Sequence, residues 1–249
     1  MNFPYDPFTK ALRQIGLNMT GVASGKSWQK IVPHCQSVLV YGSGGSQLWE
    51  SFLEDLKQNS EHLTKEPHPL DAFIQRTLTG VDPDSPQSRR WVRCAANEET
   101  FADFRILGHQ AGLGHPSKLG LLINSEFGPW FGLRLACFTS EYAEPTGPLS
   151  GASPCESCDA PCISACPAEA ISATEGLDLK TCSMFHDLSE QCRQTCHARE
   201  ACPEGKAHMY VKFQRQYHYD NKLGRMALGQ YLGIPFAGEE VRSNWSDQI

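Results

Sequence analysis

No run in this sequence approaches the ~20 apolar residues that a membrane-crossing helix needs, which argues against a helical membrane span. The N-terminus, MNFPYDPFTK, has no basic-then-apolar leader pattern, so cytoplasmic residence is expected. Cationic excess is missing as well. The formal net charge is −6, which argues against nonspecific nucleic-acid binding. Charged residues make up only 20% and aromatics reach 10%, a balance foreign to disordered chains. The nine histidines show no metal-pair spacing, and YGSGGS (41–46) has neither a full dinucleotide fingerprint nor a P-loop lysine. Internal repeats and low-complexity tracts are absent.

What is present is cysteine, unevenly spread. Eight of the eleven cysteines lie between residues 155 and 202. In a reducing compartment such density reads as a metal site rather than a disulfide framework. The first run is Cys155-x2-Cys158-x3-Cys162-x3-Cys166-Pro167, and the second Cys182-x9-Cys192-x3-Cys196-x5-Cys202-Pro203. Both end in Cys-Pro, as the bacterial ferredoxin run does, in which the fourth cysteine ligates the other cluster. That pattern assigns Cys155, Cys158, Cys162 and Cys202 to one [4Fe-4S] cluster, and Cys166, Cys182, Cys192 and Cys196 to a second. The first run has one extra residue between its second and third cysteines, and the second is stretched at its first and last gaps. Zinc, with a single C-x2-C pair present, and a disulfide framework are the weaker alternatives. Cys35, Cys94 and Cys137 sit in apolar or strand-like contexts and read as core. His186 and His197, inside the cysteine region, are placed to hydrogen-bond a sulfur and tune a potential.

The first 140 residues alternate strand-like and helix-like segments, so the fold class is α+β, an α/β domain followed by a ferredoxin-like two-cluster module. Helices are expected at 6–16, 46–59, 69–81 and 98–110, the last closed by the glycines of AGLG (111–114). Strands are expected at 17–24, 36–45, 90–95, 119–125 and 130–140. Residues 141–154, with three prolines and two glycines, read as a linker. The module takes 155–205, and 206–249 holds a terminal helix within 209–232 and a tail.

The segment AGLGHPSKLGLLINSEFGPWFGLR (111–134) resembles the stretch of epoxyqueuosine reductases that runs Ala-Gly-Leu-Gly-Trp-Ile-Gly-Lys-Asn-Thr-Leu-Leu-Ile-Asn. Its Gly-x-Trp-Phe and following Arg are similar to CblC-type cobalamin-processing proteins. DLKTCSMF (178–185) resembles the reductases' Asp-x-x-x-Cys before the second cluster. This resemblance, shared with reductive dehalogenases, implies a nitroreductase-like fold that binds a corrinoid and receives electrons from two cubanes. The chain then reads as a short member without the C-terminal repeat extension. Ala111–Gly114, Lys118, Leu121–Asn124, Gly128 and Trp130 match the reductase pattern, while His115, Pro116 and Ser117 depart from it. The aspartate that serves those reductases as proton donor falls near Asn97–Glu98, which makes Glu98 the candidate here.

For a corrinoid the candidate contacts are Gly112, Gly114, Lys118, Asn124, Phe127, Trp130 and Arg134. The glycines would admit close backbone approach, and the aromatics, with Phe131, would pack on the macrocycle. Lys118 and Arg134 would meet a phosphate or amide oxygens. Without the resemblance, Gly112 and Gly114 read as a helix cap, and Trp130 and Phe131 as core. The expected function is an iron–sulfur oxidoreductase relaying single electrons to a corrinoid, with a donor such as a ferredoxin or flavodoxin. Two alternatives stand beside it. One is an electron carrier whose N-terminal domain docks a redox partner and binds no corrinoid; the other is a cobalamin-trafficking protein that removes an upper ligand.

Overall fold

The computed structural model of the chain describes residues 6–94 and 102–234. Its N-terminal part runs α1 (Asp6–Gln14), β1 (Met19–Ser24), β2 (Ser37–Gly44), α2 (Gln47–Gln58), α3 (Glu61–Lys65), α4 (Pro69–Val81) and β3 (Arg89–Arg93). It continues with α5 (Phe104–Gln110), β4 (His115–Pro116), β5 (Leu122–Ile123) and β6 (Phe131–Thr139). Four of the strands form one antiparallel sheet in the order β1-β2-β6-β3. Every residue of β2 is buried because this central strand is covered on both faces.

Alternation along the strands sorts the core into two layers. Val22, Leu39, Tyr41, Leu135 and Cys137 face α1 to α4 through Leu12, Phe52, Leu63 and Ile74. Ala23, Val38, Val40, Val92, Ala136 and Phe138 face α5 through Phe104 and Leu107. The register Leu39↔Cys137 and Val40↔Ala136 keeps each set on its own side, and a bulge between Tyr41 and Gly42 shifts the register by one residue, so that pairing resumes at Gly42↔Leu133. Asn18 then clamps the strand end, its Nδ2 donating to Gly44 O at 2.9 Å and its Oδ1 accepting from Gly44 N at 3.0 Å.

Residues 141–154 are tied to the edge strand. Thr146 Oγ1 donates to Ala111 O at 2.7 Å and accepts from Val22 N at 3.0 Å, while Thr146 N donates to Val22 O. The cysteine region holds α6 (Pro161–Ser164), the ribbon β7 (Ile171–Ser172) and β8 (Gly176–Leu177), then α7 (Leu179–Leu188), α8 (Glu190–Gln194) and α9 (His197–Ala201). Finally α10 (Lys212–Tyr219) and α11 (Asn221–Leu232) return to the first core layer. There Trp49 meets Tyr217 edge-on at 5.2 Å, and fully buried Arg225 donates to Leu63 O and Thr64 O.

Several elements differ from the sequence reading. The expected strand 119–125 shrinks to β5, paired with β4 outside the main sheet, because Ser117 and Gly120 turn the chain there. The helix expected at 98–110 is seen from Phe104, where Asp103 accepts from Arg105 N and Ile106 N as its N-cap. The terminal helix is two, divided at Asp220, which caps α11 through Leu223 N. Glu98 lies outside the described residues. Cys35 and Cys137 are buried as expected, whereas Cys94, just past β3, is exposed.

Candidate functional site

Four thiols, those of Cys155, Cys158, Cys162 and Cys202, line one small cavity of about 20 Å³ with Lys118 and Ile123. Local geometry brings the first three together. Ser153 Oγ accepts from Cys155 N at 3.3 Å, and left-handed Ala160 (φ 52°) lets its own N–H donate to Cys158 Sγ at 3.4 Å. Pro161 then starts α6, which presents Cys162. Cys202 arrives from α9 as its C-cap. Burial pushes the Cys162 thiol up, and the neighbouring Cys155 and Cys158 add to it. Cys202 is raised by burial and by the same three neighbours, against a backbone N–H from Glu204 that lowers it.

The remaining four gather separately. Burial raises the Cys182 thiol, followed by the influence of Cys196, Cys166 and Cys192. Each of three sits at a helix end. Asp178 caps α7 through Lys180 N and Thr181 N and so sets Cys182 one turn in, which explains the Asp-x-x-x-Cys spacing. Ser189 caps α8 by accepting from Cys192 N, and Cys196 is the N-cap residue of α9. Among the described residues, no three His, Cys, Asp or Glu side chains converge tightly enough to hold a single metal ion.

Beside the second set lies Arg199, only 8% exposed and without a carboxylate partner among the described residues. Its Nε and Nη2 donate to Pro129 O at 3.1 and 2.6 Å, and its guanidinium stacks 4.5 Å from the Trp130 ring and 5.0 Å from Tyr210. The hydroxyl of half-buried Tyr219 lies within hydrogen-bonding reach of both Arg199 and Cys196. Arg199 thus touches the second cysteine set on one side. On its other side it lines an open cleft of about 290 Å³, together with Cys94, Phe131, Arg134, Tyr210 and His218. Burial, with the charges of Arg134 and Arg199, holds His218 well below its ordinary range.

The residues expected to meet a corrinoid are scattered relative to this cleft. Arg134 lines it, and so does Phe131. Lys118 belongs to the cavity of the first cysteine set. A Cβ on Gly112 would stand 2.4 Å from Gly147 O, and one on Gly114 would press Leu122 and Phe131 at 3.0 Å. The room those glycines make is filled by the chain itself. Asn124 organises a turn, its Oδ1 accepting from Phe127 N and its Nδ2 donating to Leu113 O. Trp130 is 1% exposed beneath Arg199, and Phe127 is buried against His208. His186 Nε2 bonds Tyr219 O at 3.0 Å rather than a sulfur, and His197 Nε2 is buried without a partner. Sequence reasoning missed Arg199, Tyr210, His218 and Tyr219. The aromatic density of QYHYD (216–220) was their one visible signal.

No protein-family model matches the sequence, and neither does any curated protein. Solved structures do match in fold. An epoxyqueuosine reductase from Bacillus subtilis superposes with a TM-score of 0.55 at 14% identity, over 82% of this chain and 66% of that one. The B12-trafficking protein CblC from C. elegans gives 0.58 at 11% identity, covering 94% and 98%. The catabolic reductive dehalogenase NpRdhA gives 0.56 at 15% identity, covering 93% of this chain but 37% of the dehalogenase. The chain therefore spans about two thirds of the reductase and little more than a third of the dehalogenase. A further match, with a TM-score of 0.57, is an epoxyqueuosine reductase bound to a modified tRNA stem loop. The acidic net charge consequently does not exclude nucleic acid as a partner for this fold. No helix among the described residues is long and apolar enough to cross a membrane.

Proposed function

We propose that the protein is an iron–sulfur oxidoreductase that passes single electrons from two [4Fe-4S] clusters to a corrinoid in the Arg134–Arg199 cleft. The observation that carries this reading is continuity. Eight thiols gather in two sets of four, and Arg199 contacts Cys196 of the second set while lining the cleft. Cys155, Cys158, Cys162 and Cys202 would hold one cluster, and Cys166, Cys182, Cys192 and Cys196 the other.

The donor set fits that group. A cubane takes one thiolate at each of its four irons, and each set offers four thiols, the first of them around one cavity. Leu119, Ile123 and Ile171 around the first set supply the apolar shell that keeps water from such a cluster. At the second set, the Tyr219 hydroxyl and the Arg199 charge would stabilise the more reduced, more negative state.

A corrinoid, when bound, supplies the low-valent cobalt chemistry, and the chain positions it and limits solvent. Phe131 and Tyr210 give the cleft apolar surface, and Arg134 gives it a positive head. A ferredoxin or flavodoxin is the class of donor that one-electron clusters accept. Structural kinship to a B12-trafficking protein and B12-dependent dehalogenases supports the corrinoid.

Anaerobic reconstitution of the full chain is expected to load about eight iron and eight sulfide. Zinc in their place would overturn the cluster assignment. Titration with cobalamin should shift the corrin absorbance. Intact clusters with no shift would replace this reading by that of an electron carrier whose N-terminal domain docks a partner.

A further inference from the structure

The cleft carries an electrostatic imbalance. Arg105, Arg134 and Arg199 line it, and none of the described residues lining it is Asp or Glu. Two of these cations are already engaged. Arg105, at the exposed rim, pairs with Asp103 at 3.3 Å, and Arg199 is held by Pro129 O and by the faces of Trp130 and Tyr210. Arg134 has no counter-charge among the described residues, and its Nε is buried with no hydrogen-bond partner. The guanidinium lies over Gly132, where an added Cβ would stand 3.4 Å from Nε and Nη2.

A buried donor without an acceptor is destabilising, and an arginine fork left open matches the paired oxygens of a phosphate or carboxylate. The neighbours do not compete for it. His218 stays uncharged between the two arginines and can give or take a hydrogen bond. We propose that Arg134 anchors an oxyanion subsite in the cleft, flanked by His218 and Tyr210. This deepens the corrinoid reading, and it rests on that reading only in taking the cleft as the place of reaction. The anion is either part of a substrate or the phosphate of the corrinoid's own nucleotide tail.

The test is calorimetric titration of the purified full chain with inorganic phosphate at low ionic strength, without corrinoid. The wild-type chain is expected to bind one phosphate saturably, and Arg134→Met to weaken it at least about tenfold. Arg134→Lys keeps the charge but loses the fork and should fall between them. Arg13→Met removes a charge from the exposed surface of α1 and should leave binding unchanged. Urea midpoints confirm that each variant is folded. No saturable binding by the wild type, or equal binding by Arg134→Met, overturns the subsite. Its source follows from competition. Phosphate that competes with cobalamin but not with phosphate-free cobinamide occupies the place of the nucleotide tail. Phosphate that competes with neither marks a substrate anion. A chain that binds phosphate but no corrinoid keeps the subsite and rejects the corrinoid.

Discussion

Gly128→Ala isolates the contact by which the cysteine region seats on the sheet domain. Gly128 has φ +56°, and a Cβ there would stand 2.1 Å from Glu204 O and 2.4 Å from Glu204 C. The reciprocal contact is as close. Gly205, at φ +64°, would place a Cβ 2.1 Å from both Phe127 C and Phe127 O. The obstacles are backbone atoms, so no rotamer change relieves them, and segment 203–205 must move away from the turn at 127–128. The left-handed conformation costs a non-glycine residue about 1–2 kcal/mol, and overpacking costs typically 1–3 kcal/mol. Together these give a loss of roughly 2–5 kcal/mol, which for a chain this long lowers Tm by roughly 4–20 °C. Because Cys202 immediately precedes the displaced segment, iron bound by the first cysteine set should fall before that of the second. Urea denaturation measures the stability, and iron and sulfide per chain after anaerobic reconstitution measure the cysteine geometry. Gly80→Ala is the control: nothing lies within 4 Å of its Cβ, and it should stabilise α4 by about 0.5–1 kcal/mol. If Gly128→Ala and Gly205→Ala unfold at the wild-type midpoint, the interlock is not what seats the module.

Cys158→Ala should abolish one cluster and leave the other, read as about half the iron per chain; full loading would contradict its place in the first set. Tyr219→Phe removes the hydroxyl that bonds Cys196 and Arg199. An EPR-monitored redox titration should then show the second cluster at a lower midpoint potential, with the first unchanged. Arg225→Met deletes the buried donors to Leu63 O and Thr64 O and should cost about 2–4 kcal/mol in urea unfolding. Asp82 ties the end of α4 to β3 by accepting from Arg89 Nη2 at 2.7 Å and Trp91 Nε1 at 2.6 Å. Burial would raise its carboxyl, but the Arg89 and Trp91 hydrogen bonds and the Arg89 charge prevail and hold it below the ordinary value. The stability it contributes is complete above the unfolded carboxyl pKa of ~3.9 and is lost as pH falls through the lower folded value. Asp82→Asn should therefore destabilise by about 2–3 kcal/mol at pH 7, and the gap to wild type should close as pH falls through the lowered folded value. A gap unchanged at low pH would show that the effect is steric.

Local physics in the sequence is enough to place β1, β2, α2, α4 and β6 within a few residues. The alternation and helical spacing that mark them are the same patterns that the two core layers bury. The density of cysteine between 155 and 202 and the two Cys-Pro endings are equally legible, since short spacings dictate which thiols share a turn. What β5 and the divided terminal helix became was decided at longer range. The turn at 117–120 and the cap at Asp220 override an apolar pattern that by itself continues. The cleft was decided further still from the local chain. Arg134 comes from β6, Arg199 from α9, and Tyr210 and His218 from the C-terminal segment. Spacing along the chain carries no information about a meeting of residues that far apart. The glycines around 112 and 128 show the same division. Their presence announces a close approach, but only the folded chain reveals that the atoms approaching are Gly147 O and Glu204 O, its own backbone. Residue type and spacing determined which chemistry this protein carries, and tertiary packing decided which charges stand unpaired beside it.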